Sequence, residues 1–388
     1  MLDLAALVFA AGSAVGIAAF ASTDPIVVHK STVPALVEAR GYNGKTVAKL
    51  LRNRIRDIAR VAGTARGDDL GVFHADESAI DQLAERLHLD GLIDSLRELL
   101  DLHRYSIDLT LVNASQQLQF SLPQGLANGA LVTAGADELK LILKGESASD
   151  ALFTLYVSGS NSVPELIDKM AIRFIERVDP YVLTLYHFRN EYASGEFNET
   201  LPLIEHTVRV LPIDQVQWPL LLWGRAHFRQ GDYDAAIARY RQALQLNPHF
   251  AFAQARWGEA LVAKGEVRVG VEKIEAALQQ VLNQREQPRP RRYATAVVLY
   301  QLLGDVQMQQ GDHSAARAAY IAGLDLLPDN PLLQTSLGRL YLLHGQHRVA
   351  AELLSKAVGH HPNPQQPQQL LDEAMHKLLQ QGDGAASL

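Results

Sequence analysis

The sequence of 388 residues contains no cysteine. This absence excludes disulfides, thiol catalysis and cysteine-ligated metal sites. The chain also lacks the G-x-S-x-G motif of a nucleophile elbow and the H-E-x-x-H motif of zinc proteases. The formal net charge of −7 argues against general nucleic-acid binding. We therefore predict no enzymatic activity, no cofactor and no nucleic-acid partner.

The histidines do not form a ligand set either. The only close groups are His344 with His347 and His360 with His361, and both lie at predicted turns or helix ends. Solvated histidines are common at such positions, and no metal site is predicted.

Glycines in the second half of the chain recur at a fixed interval. Gly224 and Gly258 lie 34 residues apart, as do Gly304 and Gly338. A second glycine follows each of them seven positions later, at Gly231, Gly265, Gly311 and Gly345. Three of the four units also share an alanine, at Ala236, Ala316 and Ala350, where the second unit has Gly270. Such a period predicts a solenoid of helix pairs, which presents a binding surface.

The glycines and alanines have specific expected roles. The first glycine of each unit lets two antiparallel helices approach closely, and the second supplies the left-handed turn between them. The alanine packs deep in the second helix. Pro248, Pro328 and Pro362 end three of the units.

The clearest unit reads Trp223-Gly224…Gly231-Asp232-Tyr233…Ala236…Tyr240…Ala243…Pro248. It resembles the tetratricopeptide repeat family. A degenerate earlier unit, Gly195-Glu196-Phe197…Ile204…Pro212, fits the same frame, with its first helix near 181–194. The resemblance covers about 181–364, and residues 366–381 are expected to form a capping helix with a polar outer face.

The resemblance implies a protein partner bound on the concave face, which the first helix of each unit lines. Carried onto this chain, the family's surface positions give the predicted partner-binding residues Arg189, Tyr192, Trp218, Arg225, Phe228, Phe252, Glu259, Asp305, Met308 and Arg339. Leu221, Gln301, Leu332 and Leu342 occupy further positions of the same kind. An alternative is that some of these side chains, Leu221 and Leu342 above all, pack against neighbouring helices.

One interval departs from the period. Gly258 and Gly304 lie 46 residues apart, so 12 residues are inserted, and the insert includes Gln287-Pro288-Arg289-Pro290-Arg291-Arg292. It predicts a lengthened second helix followed by a solvated loop. A basic contact for an acidic partner or a phosphate group is the alternative.

The N-terminal stretch Leu4–Phe20 has 17 residues and no charge. As a helix it spans about 26 Å, enough to cross a bilayer. We interpret it as a retained membrane anchor, and Ala19-Phe20-Ala21 leaves a cleaved signal peptide as the alternative. Gly12 and Gly16 form a GxxxG pair that would suit a homo-oligomer.

The side of the membrane on which the body lies stays undecided between cytoplasmic and periplasmic. Lys30 and Arg40 follow the span and favour the cytoplasm. The Ala-x-Ala sequence favours export to the bacterial envelope.

Residues 24–165 lack the 34-residue repeat and contain both strand-like and helix-like runs, which predicts a small α+β domain. Alternating or β-rich runs predict strands at Pro25–His29, Ile107–Leu111, Leu118–Leu122, Leu139–Leu143 and Leu152–Val157. Helices are predicted at 45–62, 76–88, 91–102 and 162–178. The predicted fold is thus mainly α, with a membrane helix (1–23), the α+β domain (24–165), a solenoid of four to five helix pairs (166–364) and a capping helix and tail (365–388).

The predicted helix 45–62 has two distinct faces. Its basic face consists of Lys45, Lys49, Arg52, Arg56 and Arg60, and its apolar face of Val47, Leu50, Leu51, Ile55, Ile58 and Val61. A solvated helix docked on the strands is the first interpretation. Contact with anionic lipid, or a helix-turn-helix that binds nucleic acid, are alternatives.

Just before this helix, Ala39–Thr46 matches a loose P-loop, with alanine in place of the first glycine. A phosphate-binding loop needs a strand running directly into it, whereas Val33–Ala39 looks helical. A turn in which Asn43 and Gly44 cap the next helix is the preferred interpretation. The function predicted overall is a membrane-anchored scaffold that binds a protein through its repeats. A nucleotide-dependent regulator or enzyme using this loop is the runner-up.

Overall fold

A computed structural model of the chain describes residues 26–63, 105–113, 139–147, 150–284, 289–361 and 364–385. The chain divides into two compact units, one of residues 1–193 and 197–203 and the other of residues 194–196 and 204–388. In the part of the chain that the model describes, no helix is both long and apolar enough to cross a bilayer. The predicted anchor Leu4–Phe20 lies outside the described residues, as do the predicted helices 76–88 and 91–102 and the predicted strand Leu118–Leu122.

The first unit contains a sheet of four strands in the order β1-β2-β3-β4. Strand β1 is parallel to β2, and the other two pairs are antiparallel. The strands are β1 (Ile26–Thr32), β2 (Tyr105–Asn113), β3 (Leu139–Ser147) and β4 (Asp150–Ser160). Along β2, Ile107, Leu109 and Leu111 are buried while Asp108 is exposed, so the predicted alternation is confirmed.

The helices of this unit are α1 (Ala35–Glu38), α2 (Gly44–Ala62), α3 (Val163–Val178) and α4 (Pro180–Glu191). Helix α3 packs against β3 and β4, and α2 packs against β1, α3 and α4. The predicted apolar face of α2 is confirmed at Leu51, Ile55 and Ile58, which are fully buried. Val61 is 39% exposed and lies at the edge of that face.

An arginine that the sequence did not single out joins three helices of this unit. Arg54 of α2 forms an ion pair with Asp168 of α3 and donates to the hydroxyl of Tyr186 in α4 at 3.3 Å. Partly buried charge-assisted bonds of this kind fix how the helices are oriented against one another.

The second unit is a row of antiparallel helix pairs. A short helix, α5 (Thr200–Val210), comes before the pairs, and a terminal helix, α14 (Gln365–Ala385), follows them. The first two pairs are α6 (Gln217–Arg229) with α7 (Tyr233–Leu246) and α8 (Ala251–Ala263) with α9 (Val267–Asn283). The other two are α10 (Arg289–Gln309) with α11 (His313–Leu326) and α12 (Pro331–Leu343) with α13 (His347–Val358). Each hydrophobic cluster draws its residues from two neighbouring pairs or from the last pair and α14. The core is therefore continuous along the row, as the period predicts.

The turn glycines behave as predicted. Gly231, Gly265, Gly311 and Gly345 have φ values between 71° and 94°, in the left-handed region. Gly195, in the degenerate unit, has φ of 75°. A residue with a side chain is strained in this conformation, which explains why glycine recurs at this offset.

The close-approach glycines are also confirmed, and the second pair differs from the others. A methyl group added at Gly224 or Gly304 would lie 2.3 Å from the ring of Tyr240 or Tyr320 in the second helix of the same pair. At Gly258 it would instead lie 2.5 Å from the backbone oxygen of Gly270. In this pair the two backbones are in direct contact, because glycine replaces the alanine of the other units.

The insert lengthens two helices. Helix α9 has 17 residues and α10 has 21, compared with 14 and 13 in α7 and α6. Arg289, Arg291 and Arg292 belong to the first turns of α10, so their placement in a loop was wrong. The terminal helix α14 is confirmed, but its surface is not wholly polar, since Met375 is 49% and Leu379 is 66% exposed.

Candidate protein-binding site

The first helices of the four pairs form one layer. Besides packing on its own second helix, α6 packs against α8, α8 against α10, α10 against α12, and α12 against α14. Side chains at corresponding positions of these helices therefore lie next to one another along the row. This layer is here called the first-helix surface, and it carries the predicted partner-binding residues of the four pairs.

Aromatic side chains cluster at one end of the first-helix surface. The ring of Trp218 lies edge-on to Phe250, with centroids 4.8 Å apart, and 6.0 Å from Phe252. Phe228 packs on Tyr233 at 5.4 Å, at the turn of its own pair. The three predicted residues Trp218, Phe228 and Phe252 are half-buried, so they contribute to the core as well as to the surface. Phe250 was missed because it lies just before a helix rather than on its surface positions.

Other predicted positions belong largely to the core. Leu221 is 8% and Leu342 is 6% exposed, which agrees with the alternative that these side chains pack against neighbouring helices. Met308 is partly buried against the cluster shared by the third and fourth pairs. Gln301 and Leu332 are half-buried.

Charged residues occupy one position in every first helix. The residue that follows the close-approach glycine is Arg225, Glu259, Asp305 or Arg339 in the four pairs. All four were predicted as partner-binding residues. Their order along the row is positive, negative, negative and positive.

The two carboxylates of this row each have a partner inside the surface. Glu259 accepts from Arg256 at 2.7 Å, and both side chains are at least three-quarters buried. Asp305 accepts from the hydroxyl of Tyr320 at 2.7 Å, and Arg339 lies 3.9 Å from the same oxygen. Arg256 was not found from the sequence, because it does not lie at a position that the family resemblance marks. Tyr320 has the same offset in its repeat as Tyr240 in the clearest unit, but its contact with Asp305 was not predicted.

Burial raises the pKa of the Asp305 carboxyl, and the negative charge of Glu259 raises it further. The hydrogen bond from Tyr320 and the positive charge of Arg339 lower this pKa and so oppose the effect of burial. The same burial, together with the charge of Asp305, raises the pKa of the Tyr320 hydroxyl. Asp305 is thus a partly desolvated acid whose pKa stays above its ordinary value despite the nearby donors.

Arg189 and Tyr192 lie at the end of α4 in the first unit. The Arg189 guanidinium donates to the backbone oxygen of Gly63 at 2.6 Å, at the C-terminal end of α2. The Tyr192 ring packs on Phe188 at 5.4 Å. These contacts give both residues a structural role within the first unit.

The basic face of α2 remains at the surface. Lys45, Lys49 and Arg60 are exposed, Arg52 and Arg56 are half-buried, and Arg60 pairs with Asp57 on the same helix.

The P-loop alternative does not fit the geometry before α2. Helix α1 lies between strand β1 and the loop, so no strand runs directly into it. Asn43 caps α2 by accepting from the backbone N–H of Thr46 at 2.9 Å, as the turn interpretation predicted.

Comparison with known families decides what the helix row is. Residues 224–265 match the model of the TPR repeat, and residues 302–367 match the model of the tetratricopeptide repeat. The C-terminal half of the chain is a tetratricopeptide repeat array. Tetratricopeptide arrays bind protein partners, and their members are typically scaffolds without enzymatic activity. The four pairs α6/α7 to α12/α13 are repeats one to four.

The chain spans only a small part of the curated relative that it matches. Cellulose synthase operon protein C of Pseudomonas fluorescens (strain SBW25) is 31% identical over 135 residues, which are 35% of this chain. The match spans 10% of that relative's length.

Two solved structures match about half of the chain. A thermophilic TPR protein of Thermus thermophilus has 23% identity over 50% of this chain and 97% of its own, with a TM-score of 0.38. The APC/C heterotetramer Cut9–Hcn1 has 16% identity over 55% and 41%, with a TM-score of 0.40.

Proposed function

We propose that this protein is a membrane-anchored scaffold that binds a segment of a protein partner on the first-helix surface of its tetratricopeptide array. The observation that carries the proposal is the row Arg225, Glu259, Asp305 and Arg339, one charge from each repeat on the same layer. Charged and aromatic side chains grouped in this way are typical of specific recognition surfaces.

Glu259 and Asp305 have hydrogen-bond partners within the array, whereas Arg339 at the end of the row is largely exposed. Arg339 is 49% exposed and lies too far from Asp305 for a hydrogen bond. Exposed ion pairs of this kind contribute little to stability, about 0–1 kcal/mol. A role in binding explains why the row nevertheless ends in this exposed charge.

Charge reversal of the two outer arginines, Arg225→Glu with Arg339→Glu, is expected to lower capture of the partner about tenfold, equivalent to roughly 1.4 kcal/mol. The reason is that like charges then face the groups that the native row attracts. The measurement is crosslinking in intact cells that express the full chain, followed by quantitative mass spectrometry of the captured proteins.

The matched control reverses two arginines of second helices, Arg268→Glu and Arg348→Glu, whose side chains are 80% and 86% exposed. It makes the same change in net charge away from the first-helix surface, and it is expected to capture the partner like the native chain. Equal losses in both variants would show that total charge, and not this surface, controls capture.

The anchor is the second part of the proposal. The uncharged stretch Leu4–Phe20 is long enough to span a bilayer as a helix. The full chain is expected to stay with membranes after an alkaline carbonate wash, and a variant without residues 1–23 to be released. Release of the full chain, or a mature N-terminus near residue 22, would contradict a retained anchor.

A further inference from the structure

Strand β4 lies at one edge of the sheet and, among the described strands, pairs with β3 only. In the part of the chain that the structure describes, the backbone of residues 152–158 forms no hydrogen bond beyond that pairing. The outer side of β4 therefore offers a row of backbone donors and acceptors to a further strand.

The opposite edge of the sheet, by contrast, is protected against strand addition. Strand β1 has 7 residues, its pairing with β2 is irregular between Val28 and Lys30, and Lys30 adds a charge. Short length, irregular pairing and lysine all disfavour the addition of a strand at an edge. Strand β4 has 11 residues, with neither charge nor proline from residue 151 to residue 160. Its irregularities lie at its two ends and leave Phe153–Val157 regularly paired with β3 and open on the outer side.

The regular segment Phe153–Val157 is complementary to a second copy of itself on the face that packs on α3. The ring centroids of Phe153 and Phe174 of α3 lie 6.4 Å apart, and Phe153 and Leu155 are half-buried. In an antiparallel pair centred on Leu155, that residue faces its own equivalent and Phe153 faces Val157. Apolar side chains thus meet apolar side chains, and the covered face of the sheet continues across the pair.

The opposite face of β4 is complementary in the same register. Thr154 would face Tyr156, and beside the open edge Tyr156 is 63% and Leu152 is 79% exposed. Contact between the two strands would cover part of this apolar surface in both copies. The one charged residue of β4, Asp150, would face the uncharged Ser160, so no like charges meet.

We propose that β4 pairs with β4 of a second copy of this chain, antiparallel and centred on Leu155, so that the described strands of two sheets form one continuous sheet. The lack of charge favours a second copy over a foreign segment. A two-fold axis would bring any charge in this segment close to its own equivalent, whereas a foreign segment is usually selected by charge complementarity. The inference goes beyond the proposed function, because it concerns the first unit and not the array.

The register of this pair can be measured directly because the sequence has no cysteine. Directly opposed residues of an antiparallel pair have Cα atoms about 4.5–5.5 Å apart, within the range that a disulfide bridges. In membranes from cells that express the full chain, Leu155→Cys is expected to form disulfide-linked dimers when an oxidant is added. Two differently tagged chains, Thr154→Cys and Tyr156→Cys, are expected to crosslink to each other when they are coexpressed.

Two controls define a specific result. Thr154→Cys expressed alone places the two sulfurs out of register, with Cα atoms about 8 Å apart, and should crosslink about tenfold less than the mixed pair. Arg268→Cys measures random collision between chains, since the native side chain is 80% exposed on a second helix of the array. It should crosslink as little as Thr154→Cys alone.

Added charge at the edge is expected to separate the two copies. In Thr154→Glu with Tyr156→Glu, each glutamate would face a glutamate of the second copy, and dimer formation through Leu155→Cys should fall about tenfold. Within one chain residue 154 is opposite Lys144 of β3, so the first glutamate gains a favourable pair and the sheet should persist. Unchanged hydrogen exchange over Leu139–Ser147 checks that it does.

The matched control for added charge is Leu36→Glu with Ala39→Glu, at exposed positions of the same unit, and it should keep native crosslinking. Equal crosslinking by Thr154→Cys alone and by the mixed pair would overturn the inference. So would the absence of a Leu155→Cys dimer, or a disulfide adduct with a different protein in its place. If exchange shows that the two glutamates unfold the sheet, the mixed-pair crosslink still decides.

Discussion

Gly270→Ala is expected to destabilise the repeat array by about 2–3 kcal/mol, although the other three repeats carry alanine at this position. A β-carbon at residue 270 would lie 2.4 Å from the backbone oxygen of Gly258 and 2.9 Å from the backbone nitrogen of Val262. Backbone atoms cannot rotate away as a flexible side chain can. The helices α8 and α9 would have to separate, and their shared core would loosen.

The sign of this effect contradicts the usual rules. Replacing glycine by alanine inside a helix normally stabilises it by about 0.5–1 kcal/mol, and agreement with the repeat consensus normally adds to that. In repeats one and three, tyrosine rings lie between the helices and hold them further apart. In the second repeat no ring intervenes, and the contact between Gly258 and Gly270 is decisive.

Tryptophan fluorescence during urea unfolding measures the effect directly. All three tryptophans, Trp218, Trp223 and Trp257, lie in the first helices of repeats one and two. The urea midpoint of Gly270→Ala should fall, with little change in slope. The control is Gly359→Ala, where an added methyl group meets nothing within 4 Å and φ is −68°, and it should stay within about 0.5 kcal/mol of the native chain. A midpoint for Gly270→Ala at or above the native value would show that α8 and α9 are not in backbone contact.

The array could be predicted in detail because its determinants are local and repeated. The turn glycines, the close-approach glycines and the deep alanines each recur at a fixed offset, and each proved to have the role assigned to it. The relation between repeats was harder to predict. Asp305 accepts a hydrogen bond from Tyr320 of its own repeat and lies near Arg339 of the next repeat. The spacing of residues within one repeat does not predict these contacts.

In the first unit, contacts between residues distant in the chain were likewise not predicted. Alternating residues located the described strands and the apolar face located α2, because both signals lie within single elements. The pairing of β1 with β2 in parallel, and the contact of Arg54 with Asp168, join residues far apart in the chain. Neither can be detected in one sequence.

Gly44 is the residue whose role the sequence left most open, and its replacement has the other large expected effect. In the motif interpretation it belongs to a phosphate-binding loop, and in the turn interpretation it helps to cap α2. In the structure a β-carbon at this position would lie 2.3 Å from the backbone oxygen of Ser31 and 3.2 Å from the Ser31 β-carbon. Gly44 is therefore required because the first turn of α2 touches strand β1.

Gly44→Ala is expected to destabilise the first unit by about 3 kcal/mol, because the clash is again with backbone and α2 cannot withdraw without uncovering Leu51 and Ile55. The neighbouring change Lys45→Ala, at an exposed position, should stay within about 0.5 kcal/mol of the native chain. Hydrogen exchange measured by mass spectrometry over Ile26–Thr32 and Gly44–Ala62 reports on this contact, while the tryptophans of the array do not. Faster exchange in Gly44→Ala alone would establish the packing role. Native exchange in Gly44→Ala, together with nucleotide-induced protection that Lys45→Ala removes, would instead support a phosphate-binding loop.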